Sequence, residues 1–497
     1  MKLLYIDLFC GAGGTSTGVE NARYEGRQCA KVIGCVNHDA NAIASHAANH
    51  PDALHFTEDI RMLELSPLTA HIAEMRRQYP DAFVVLWASL ECTNFSKAKG
   101  GQPRDSDSRT LAEHLFRYIE AINPDYIQIE NVEEFMSWGD LDENGKPISK
   151  DAGRLYLQWV SNVCGYGYRF AHRILNSADY GAYTTRRRFF GIFAKGSLPI
   201  VFPEPTHSKD GATGLFGQMQ RWKPVREVLD FTDEGKSIFG RKKPLVDATL
   251  ERIYAGLIKF VAGGKEAFLV KWNSMSSTGK YHAPSIDEPC PTVATQNRLG
   301  IAQVNFLSKH YGGSPAGKCV SVEEPAGTIT TWDHHSFITA YYGNGHNHSI
   351  DAPAPTLTTR DRLAFVDMQY GNGTPCGIET PAPTVTTNPK HQLVTCRMKQ
   401  QGATIAVTTD DSPAMAKIKR FMALYGIIDI KMRMLRIPEL KRIMGFPSDY
   451  VLVGTQADQK KFIGNAVEVN MARVLCEALC TQLIKNNICL LYTSDAA

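Results

Sequence analysis

The sequence predicts a doubly wound, Rossmann-like α/β sheet with a β-rich, repeat-containing region inserted into it. Apolar strands alternate with amphipathic helices over roughly the first 200 residues. The composition then shifts towards Pro, Gly and Thr between about 240 and 425, and the α/β pattern returns after about 430. Alternation of this kind is typical of α/β proteins. When the pattern of the first domain returns after an insertion, the C-terminal segment usually completes that domain.

Six apolar segments have the length and composition of strands. They are residues 3–8, 31–36, 82–87, 125–130, 169–175 and 189–194. The segments that we expect to form helices are 14–24, 39–48, 66–78, 108–122, 152–163, 438–444 and 469–483. Ligands bind at the carboxyl ends of the strands in sheets of this kind. We therefore expect one crevice to collect the polar residues that follow the strands.

A repeated motif marks the inserted region. Its four copies begin at Pro289, Pro325, Pro353 and Pro381, which are 36, 28 and 28 residues apart. Each copy runs into threonine and β-branched residues, which suit short strands, while the prolines suit strand edges. Repetition at this period is typical of stacked or radially arranged β units that cannot bury a core alone.

The domain boundaries follow from these changes of composition. We predict a first domain over 1–240, an inserted domain over 245–425, and a return segment over 430–488 that completes the first domain. The last residues, 489–497, read like the translation of a sequencing adapter. We therefore expect the natural chain to end near Ile488.

The bulk composition is that of an ordinary globular protein. Of 497 residues, 43% are hydrophobic and 21% are charged, and the formal net charge is only +3. Any nucleic-acid surface must therefore be local, for example at 186–188 or 241–243. We find no apolar stretch of about 18 residues and no secretion signal, so we expect a cytoplasmic protein without a membrane span.

Cysteine spacing gives no sign of a metal site. The twelve cysteines are scattered without a Cys-x-x-Cys pair. Cys476 and Cys480 share one face of a predicted helix, but no second Cys or His pair is placed to complete four zinc ligands. We predict no metal and a reduced protein with mostly buried thiols.

A glycine loop follows the first predicted strand. Gly11, Gly13 and Gly14 let the backbone approach a ligand between a strand and the start of a helix. Phe9 beside the loop is placed to stack on an adenine ring. Many glycine-rich turns are only turns, so the loop by itself does not identify a ligand.

Polar residues after the next strands add to this pattern. Asn37 and Asp39 end the second predicted strand, where an acid or amide can hold ribose hydroxyls. Asp59 follows at a third strand end. Each residue alone fits an ordinary solvated loop. Together with the glycine loop, their order favours a nucleoside-bearing cofactor.

Two candidate catalytic residues follow the central strands. Cys92 lies in a polar, partly positive segment with Lys97 and Lys99, which favours a reactive thiolate, although a cysteine after a strand is most often a buried small hydrophobe. Glu130 follows the next apolar strand, where it is either a general acid or a charged residue that caps the strand.

Three arginines, 186–188, precede the last predicted strand. Alternate residues of a strand share a face, so we expect Arg186 and Arg188 to point the same way. One of them can hold a base carbonyl and the other a phosphate. The alternative is a solvated basic edge.

These motifs, in this order, resemble those of the C5 cytosine DNA methyltransferase family. The matching segments are the donor loop at 7–14, the nucleophile loop with Cys92, Phe95 and Ser96, the triplet Glu130-Asn131-Val132, the pair Arg186 and Arg188, the penultimate motif at 433–447 and the last motif at 459–467. They span residues 5–467 apart from the repeats. Six motifs in the family's order make a chance match very rare.

The resemblance implies S-adenosylmethionine as the methyl donor. The residues that it places around the donor are Asp7, Phe9, Gly11, Gly13, Gly14, Asn37, Asp39, Asp59, Asn465 and Val467. It further implies that a cytosine leaves the DNA duplex to reach Cys92, and that Glu130 contacts N3 of the base. Asn131 shapes the loop, and Arg186 and Arg188 hold the base and the nucleophile loop.

The implied chemistry suits these residue types. A thiolate that adds to C6 of cytosine makes C5 reactive enough to attack a methyl group on sulfur. An acid near N3 neutralises the charge that builds in the ring. On this interpretation residues 1–240 form the catalytic and cofactor-binding domain, and 245–425 takes the place of the target recognition domain that reads double-stranded DNA.

Two rival functions remain at this point. A small branch of the family performs the same chemistry on RNA, although a large repeat-built insertion favours DNA. The second rival function is a catalytically weak DNA-binding protein with the same fold. It is suggested by Glu91, which stands where the family has proline and puts a negative charge beside the thiol. For the enzyme we expect a monomer in a bacterial or phage-infected cell. Any restriction endonuclease would share its site without being a stable subunit.

Overall fold

The computed structural model describes residues 1–90, 112–140, 142–143, 147–211, 213–214, 217–230, 232–233, 235–258, 406–425 and 427–486, with short strands between 267 and 398. It divides into two compact units. The first unit comprises Met1–Ala182, Arg186–Arg221 and the segment from Met444 onward. The second unit comprises Tyr183–Thr185 and Trp222–Ile443.

The described strands range from two to nine residues. In chain order they are β1 (Leu3–Leu8), β2 (Arg23–Tyr24), β3 (Arg27–Gln28), β4 (Ala30–Asn37), β5 (Leu54–Thr57), β6 (Phe83–Ser89), β7 (Tyr126–Asn131), β8 (Tyr168–Asn176), β9 (Arg187–Lys195), β10 (His207–Ser208), β11 (Thr213–Gly214), β12 (Gly217–Gln218), β13 (Gln220–Arg221), β14 (Lys236–Ser237), β15 (Ala267–Lys271), β16 (Leu299–Val304), β17 (Leu307–Lys309), β18 (Cys319–Val320), β19 (His335–Ser336), β20 (Ala364–Met368), β21 (His391–Met398) and β22 (Ile427–Met434).

The α-helices are of ordinary length for a globular protein. In chain order they are α1 (Gly14–Asn21), α2 (Ala40–Asn49), α3 (Ser66–Gln78), α4 (Leu115–Ile122), α5 (Arg154–Cys164), α6 (Asp247–Gly256), α7 (Pro413–Tyr425), α8 (Ile437–Ile443), α9 (Gln456–Asn465) and α10 (Val469–Lys485). Among the described residues, no helix has both the length and the hydropathy that crossing a membrane requires.

The first unit is built on a seven-stranded sheet in the order β5-β4-β1-β6-β7-β9-β8. Its strands are parallel except β9, which runs antiparallel to both β7 and β8. The predicted fold class is confirmed, and all six predicted strands are present within two residues of their expected bounds. The prediction omitted β5 because this edge strand is short and half-buried and lacks an apolar run.

Both faces of this sheet are buried. Successive residues of a strand point to opposite faces. Leu4 and Ile6 of β1 therefore pack in the core that includes α3, α4 and α5, while Leu3 and Tyr5 pack in the core that includes α1 and α10. Helices on both sides are what a doubly wound parallel sheet needs to bury its apolar strands.

Two predicted helices are shorter in the structure, and helices α6, α7 and α9 were not predicted. The helix predicted over 108–122 begins at Leu115, after a turn at 112–114, and residues 108–111 lie outside the described residues.

Helix α1 ends at Asn21 instead of residue 24, because β2 and β3 form a hairpin whose turn residues, Glu25 and Gly26, both have positive φ. Helix α9 was not predicted. Its start carries a capping box between Thr455 and Asp458, which is a signal that the sequence does contain.

The second unit contains a mixed sheet in the order β14-β22-β21-β16-β15, with β20 paired to β21. A smaller sheet has the order β18-β17-β19. A buried ion pair of 2.9 Å joins Arg433 of β22 to Glu439 of α8. The four proline-led repeats, like the adapter-like tail at 489–497, lie outside the described residues, so the repeat architecture and the tail stay predictions.

Candidate active site

The glycine loop leaves β1 along a left-handed path. Phe9, Gly11 and Gly13 have φ values of 60°, 51° and 97°. A bulky residue such as phenylalanine rarely adopts positive φ, and such strain clusters at functional sites. A Cβ atom built on Gly11 would meet nothing within 4 Å. The loop backbone therefore faces open space at Gly11, where a ligand can approach it.

The C-terminal segment packs against the other side of this loop. A Cβ atom on Gly14 would lie 2.6 Å from the Val467 carbonyl oxygen, so only glycine permits this approach. The Tyr450 hydroxyl donates a hydrogen bond to the Ala12 carbonyl. The structure thus brings Val467 to the loop, whereas Asn465 is exposed at the end of α9.

Asp7 is the fifth residue of β1, and only one of its two carboxylate oxygens accepts a hydrogen bond within the described part of the chain. It is fully buried, and its Oδ2 accepts a hydrogen bond of 2.8 Å from the Ser16 hydroxyl. Its Oδ1 makes no hydrogen bond within the described part of the chain. Burial raises the pKa of Asp7 well above its ordinary value, although the Ser16 bond opposes this. A buried oxygen of this kind calls for a donor.

The three residues at the following strand ends already have partners in the protein. The Asn37 side chain accepts from the Asp39 backbone N–H at 2.9 Å. Asp39 caps α2 through two backbone N–H groups and pairs with Lys461 at 3.3 Å. Hydrogen bonds from the Arg61 side chain are the main reason that the pKa of Asp59 is lowered. Each carboxylate keeps lone pairs for a further donor.

Glu130 and Asn131 are the last two residues of β7, and both are buried. They were expected just after the strand. Arg188 Nε lies 3.2 Å from Glu130 Oε1, and the two side chains are only 12% and 7% exposed. Asn131 Nδ2 donates to the Leu90 carbonyl at 3.3 Å. Leu90 is the last described residue before the segment that carries Cys92, and Cys92 itself lies outside the described residues.

The three consecutive arginines have three different environments. Arg186 is 3% exposed, and its Nη1 donates to the Gly464 carbonyl at 3.2 Å. Arg187 is 61% exposed and pairs with Glu133 at 2.7 Å. Because Arg186 is buried and Arg188 is only 12% exposed, the run is neither a solvated basic edge nor a continuous basic surface.

Several residues that hold the glycine loop were not predicted. They are Ser16, His46 and Tyr450. The sequence feature that came closest to indicating them is His46, a histidine on the buried face of α2. Tyr450 contacts a residue more than 400 positions away, so no local pattern could have indicated it.

A family profile described as C-5 cytosine-specific DNA methylase matches residues 3–215 and 327–481. These ranges contain the glycine loop, the Glu130–Arg188 pair and the C-terminal segment that closes the loop. The chain belongs to the C-5 cytosine-specific DNA methylase family. The resemblance drawn from the motifs is thereby confirmed.

Two curated relatives illustrate the degree of similarity. The type II methyltransferase M.AgeI of Thalassovita gelatinovora is 28% identical over 211 residues, which cover 42% of this chain and 44% of that protein. The type II methyltransferase M1.HphI of Haemophilus parahaemolyticus is 26% identical over 216 residues, which cover 43% of this chain and 52% of that protein. The chain thus spans about half the length of these relatives.

Among solved structures, the methyltransferase EhMeth of Entamoeba histolytica aligns over 97% of this chain and 99% of its own. The sequence identity is 12% and the TM-score is 0.47.

Proposed function

We propose that this protein transfers a methyl group from S-adenosylmethionine to C5 of cytosine in DNA. The placement of Glu130 carries the proposal. This buried acid is paired with Arg188 at the end of β7 and is the register partner of Ser89 at the end of β6. The segment with Cys92 begins two residues after Ser89. An acid and a cysteine nucleophile that leave adjacent strand ends can act on the same base.

The glycine loop fits S-adenosylmethionine, which supplies an electrophilic methyl group when it is bound. The backbone at Gly11 faces open space, and Asp7 Oδ1 is a buried acceptor without a hydrogen bond among the described residues. Phe9 offers an aromatic surface beside the loop. We assign donor binding to this loop, together with Asn37, Asp39 and Asp59 and the closing segment at Asn465 and Val467.

Cys92 is the nucleophile of the proposed reaction. Its thiolate forms a bond to C6 of the cytosine, and Glu130 at N3 stabilises the charge that the ring gains. C5 would then receive the methyl group as the methyl–sulfur bond of S-adenosylmethionine breaks and S-adenosylhomocysteine leaves, and C5 would lose its proton to solvent. Loss of that proton expels the Cys92 thiolate from C6, so the net change replaces hydrogen by methyl at C5.

Arg188 and Asn131 are positioning residues in this scheme. Arg188 fixes the Glu130 carboxyl through the buried ion pair, and Asn131 holds the backbone at Leu90, where the nucleophile segment starts. Arg186, one residue before β9, contacts the last turn of α9 through a hydrogen bond to the Gly464 carbonyl. We assign it to holding the closing segment, which differs from the base contact that the motif resemblance implies.

The substrate is proposed to be duplex DNA with the target base turned out of the helix. The names of the relatives, type II methyltransferases, support a modification enzyme. Residues 245–425 are the proposed target recognition domain. We further propose a monomer whose partner endonuclease, where one exists, acts on the same DNA site without forming a stable complex.

Methyl transfer can be measured directly with the full chain, labelled S-adenosylmethionine and unmethylated duplex DNA. We expect label in 5-methylcytosine, and loss of that label in Cys92→Ala. Cys164→Ala is the matched control, because Cys164 is a half-buried thiol on α5. Label in a parallel RNA sample instead of DNA would contradict the proposal. Specific DNA binding without any transfer would favour the DNA-binding protein.

The covalent step has its own test. A duplex with 5-fluorocytosine at target positions cannot lose a proton from C5, so the bond to sulfur should persist through denaturing electrophoresis. We expect a shifted band with the natural chain and with Cys164→Ala, and none with Cys92→Ala. A shifted band that survives Cys92→Ala would exclude Cys92 as the nucleophile.

A further inference from the structure

Four potential metal-binding atoms converge behind the glycine loop. They belong to the residues that we call the thiol–imidazole cluster: Cys10, Cys35, His46 and His55. The ligand atoms of the first three lie within 4.8 Å of one another, and all three residues are buried. The Cys35 Sγ to His46 Nδ1 distance is 3.6 Å, and His46 Nδ1 to His55 Nε2 is 3.0 Å.

The sheet brings these residues together from four separate elements. Cys35 on β4 is the register partner of His55 on β5, so the two side chains leave adjacent strands side by side. His46 lies on the buried face of α2, which follows β4. Cys10 belongs to the glycine loop, and its backbone N–H is bonded to the Val36 carbonyl at 3.2 Å.

We propose that the thiol–imidazole cluster binds a zinc ion. Zinc favours four ligands from cysteine and histidine at about 2.0–2.3 Å, which places neighbouring ligand atoms about 3.3–3.8 Å apart in a tetrahedron. The Cys35 Sγ to His46 Nδ1 distance of 3.6 Å lies within that range, and the His46 Nδ1 to His55 Nε2 distance of 3.0 Å lies just below it. Side-chain shifts below an ångström bring both to the tetrahedral value.

The charges of the cluster balance those of the metal. Binding requires both thiols to release their protons to solvent, and the two thiolates then neutralise Zn²⁺ while the imidazoles stay neutral. A site without net charge suits a location where Cys35 and His46 are each 0% exposed. A buried uncompensated charge would instead be costly.

A second set of contacts orients one ligand. His46 Nε2 lies 2.8 Å from the Ser16 hydroxyl, which itself donates to Asp7 Oδ2 at 2.8 Å. Histidines that bind zinc usually present their other ring nitrogen to a hydrogen-bonding partner of this kind, which fixes the tautomer. With Nε2 engaged by Ser16, Nδ1 faces the thiols and His55.

Zinc at this position would act as a structural site. Three of its four ligands, Cys10, Cys35 and His46, are buried, and the fourth, His55, is half-buried. Its effect would be to fasten the glycine loop, through Cys10, to β4, β5 and α2. The proposal is independent of the substrate of the enzyme, since it concerns the folded chain alone.

The test is the metal content of the full chain, purified without chelator and after dialysis against zinc. We expect one zinc ion per chain by inductively coupled plasma mass spectrometry. Cobalt should replace it and give thiolate charge-transfer absorption together with the visible bands of tetrahedral Co²⁺. Chelation should lower the unfolding temperature, and zinc should restore it.

Variants locate the metal. Cys35→Ser should abolish zinc binding, and His55→Gln, at the half-buried ligand, should keep the fold while zinc is lost faster to a chelator. Cys164→Ser removes a thiol outside the cluster and should retain zinc and the cobalt spectrum. Protein without zinc after dialysis, zinc retained in both Cys35→Ser and His55→Gln, or a Cys10–Cys35 disulfide found by thiol titration would each overturn the proposal.

Discussion

The two sides of the candidate site are held by different kinds of interaction. The proposed cofactor side is the glycine loop with its contacts. It depends on close packing of Gly14 against Val467 and on the hydrogen bond from Tyr450. The proposed base side consists of Glu130, Asn131 and Arg188, and its central contact is the Glu130–Arg188 ion pair.

This difference predicts different sensitivities. Close packing penalises any added volume, so the cofactor side should respond to substitutions that change size. A buried ion pair penalises the loss of one partner, so the base side should respond to substitutions that change charge at constant size.

The largest expected effect is on the base side. Glu130→Gln keeps the size of the side chain but removes the acid at N3 and the charge that pairs with Arg188. We expect methyl transfer to slow about 10²–10⁴-fold. Glu133→Gln is the control, because Glu133 makes an exposed ion pair with Arg187 and its loss should change the rate little. Equal losses in the two variants would remove the distinction between these ion pairs.

The next effect concerns volume on the cofactor side. Gly14→Ala should lower the free energy of unfolding by about 3 kcal/mol, because its methyl group would overlap the Val467 carbonyl. Gly165→Ala is the control. Gly165 has φ of −59°, and its added methyl would lie 3.1 Å from the Asn162 carbonyl oxygen, compared with 2.6 Å from the nearest atom at Gly14, so we expect a smaller loss. Chemical denaturation of both variants measures the difference, and a Gly14→Ala protein of natural stability would show that the C-terminal segment adapts.

A pH dependence should also belong to the cofactor side. Burial raises the pKa of Glu468, at the start of α10, to about 7 from its ordinary 4.5. The folded protein therefore holds the Glu468 proton more tightly than the unfolded chain does. The contribution of Glu468 to the free energy of unfolding is fully present below pH 4.5 and is lost as the pH rises through about 7. The expected loss is about 3 kcal/mol.

Glu468→Gln should remove this dependence while keeping a side-chain acceptor for the first turn of α10. The free energy of unfolding, measured by denaturation between pH 4.5 and 8, should change less with pH in this variant than in the natural chain. Glu58→Gln, at an exposed carboxylate, should leave the slope as it is. An unchanged slope in Glu468→Gln would show that another group titrates.

The smallest expected effect is the loss of stability on removing the Tyr450 hydroxyl. Tyr450→Phe removes the donor to the Ala12 carbonyl and should cost about 1 kcal/mol of stability. Tyr166→Phe removes an exposed hydroxyl bonded to Glu120 and should cost less. Thermal unfolding of the two variants compares them. If Tyr166→Phe proved the more damaging, the hydrogen bond from Tyr450 would not be what holds the loop.

The extent of sequence-based prediction differs between these features. The strands of the sheet were found within two residues, because apolar runs separated by amphipathic helices are a local property of the chain. The edge strand β5 was missed because it is half-buried and has no such run. Helix α9 was missed although its capping box is visible in the sequence.

The sequence by itself determined the fold class, the family and the order of the candidate site residues, since each of these depends on short motifs and their periodicity. Only the tertiary structure decided which residues meet. Arg186 and Arg188 share a motif, yet one bonds to Gly464 and the other pairs with Glu130. The thiol–imidazole cluster likewise draws on four elements. Such contacts depend on how strands and helices pack, which no local pattern encodes.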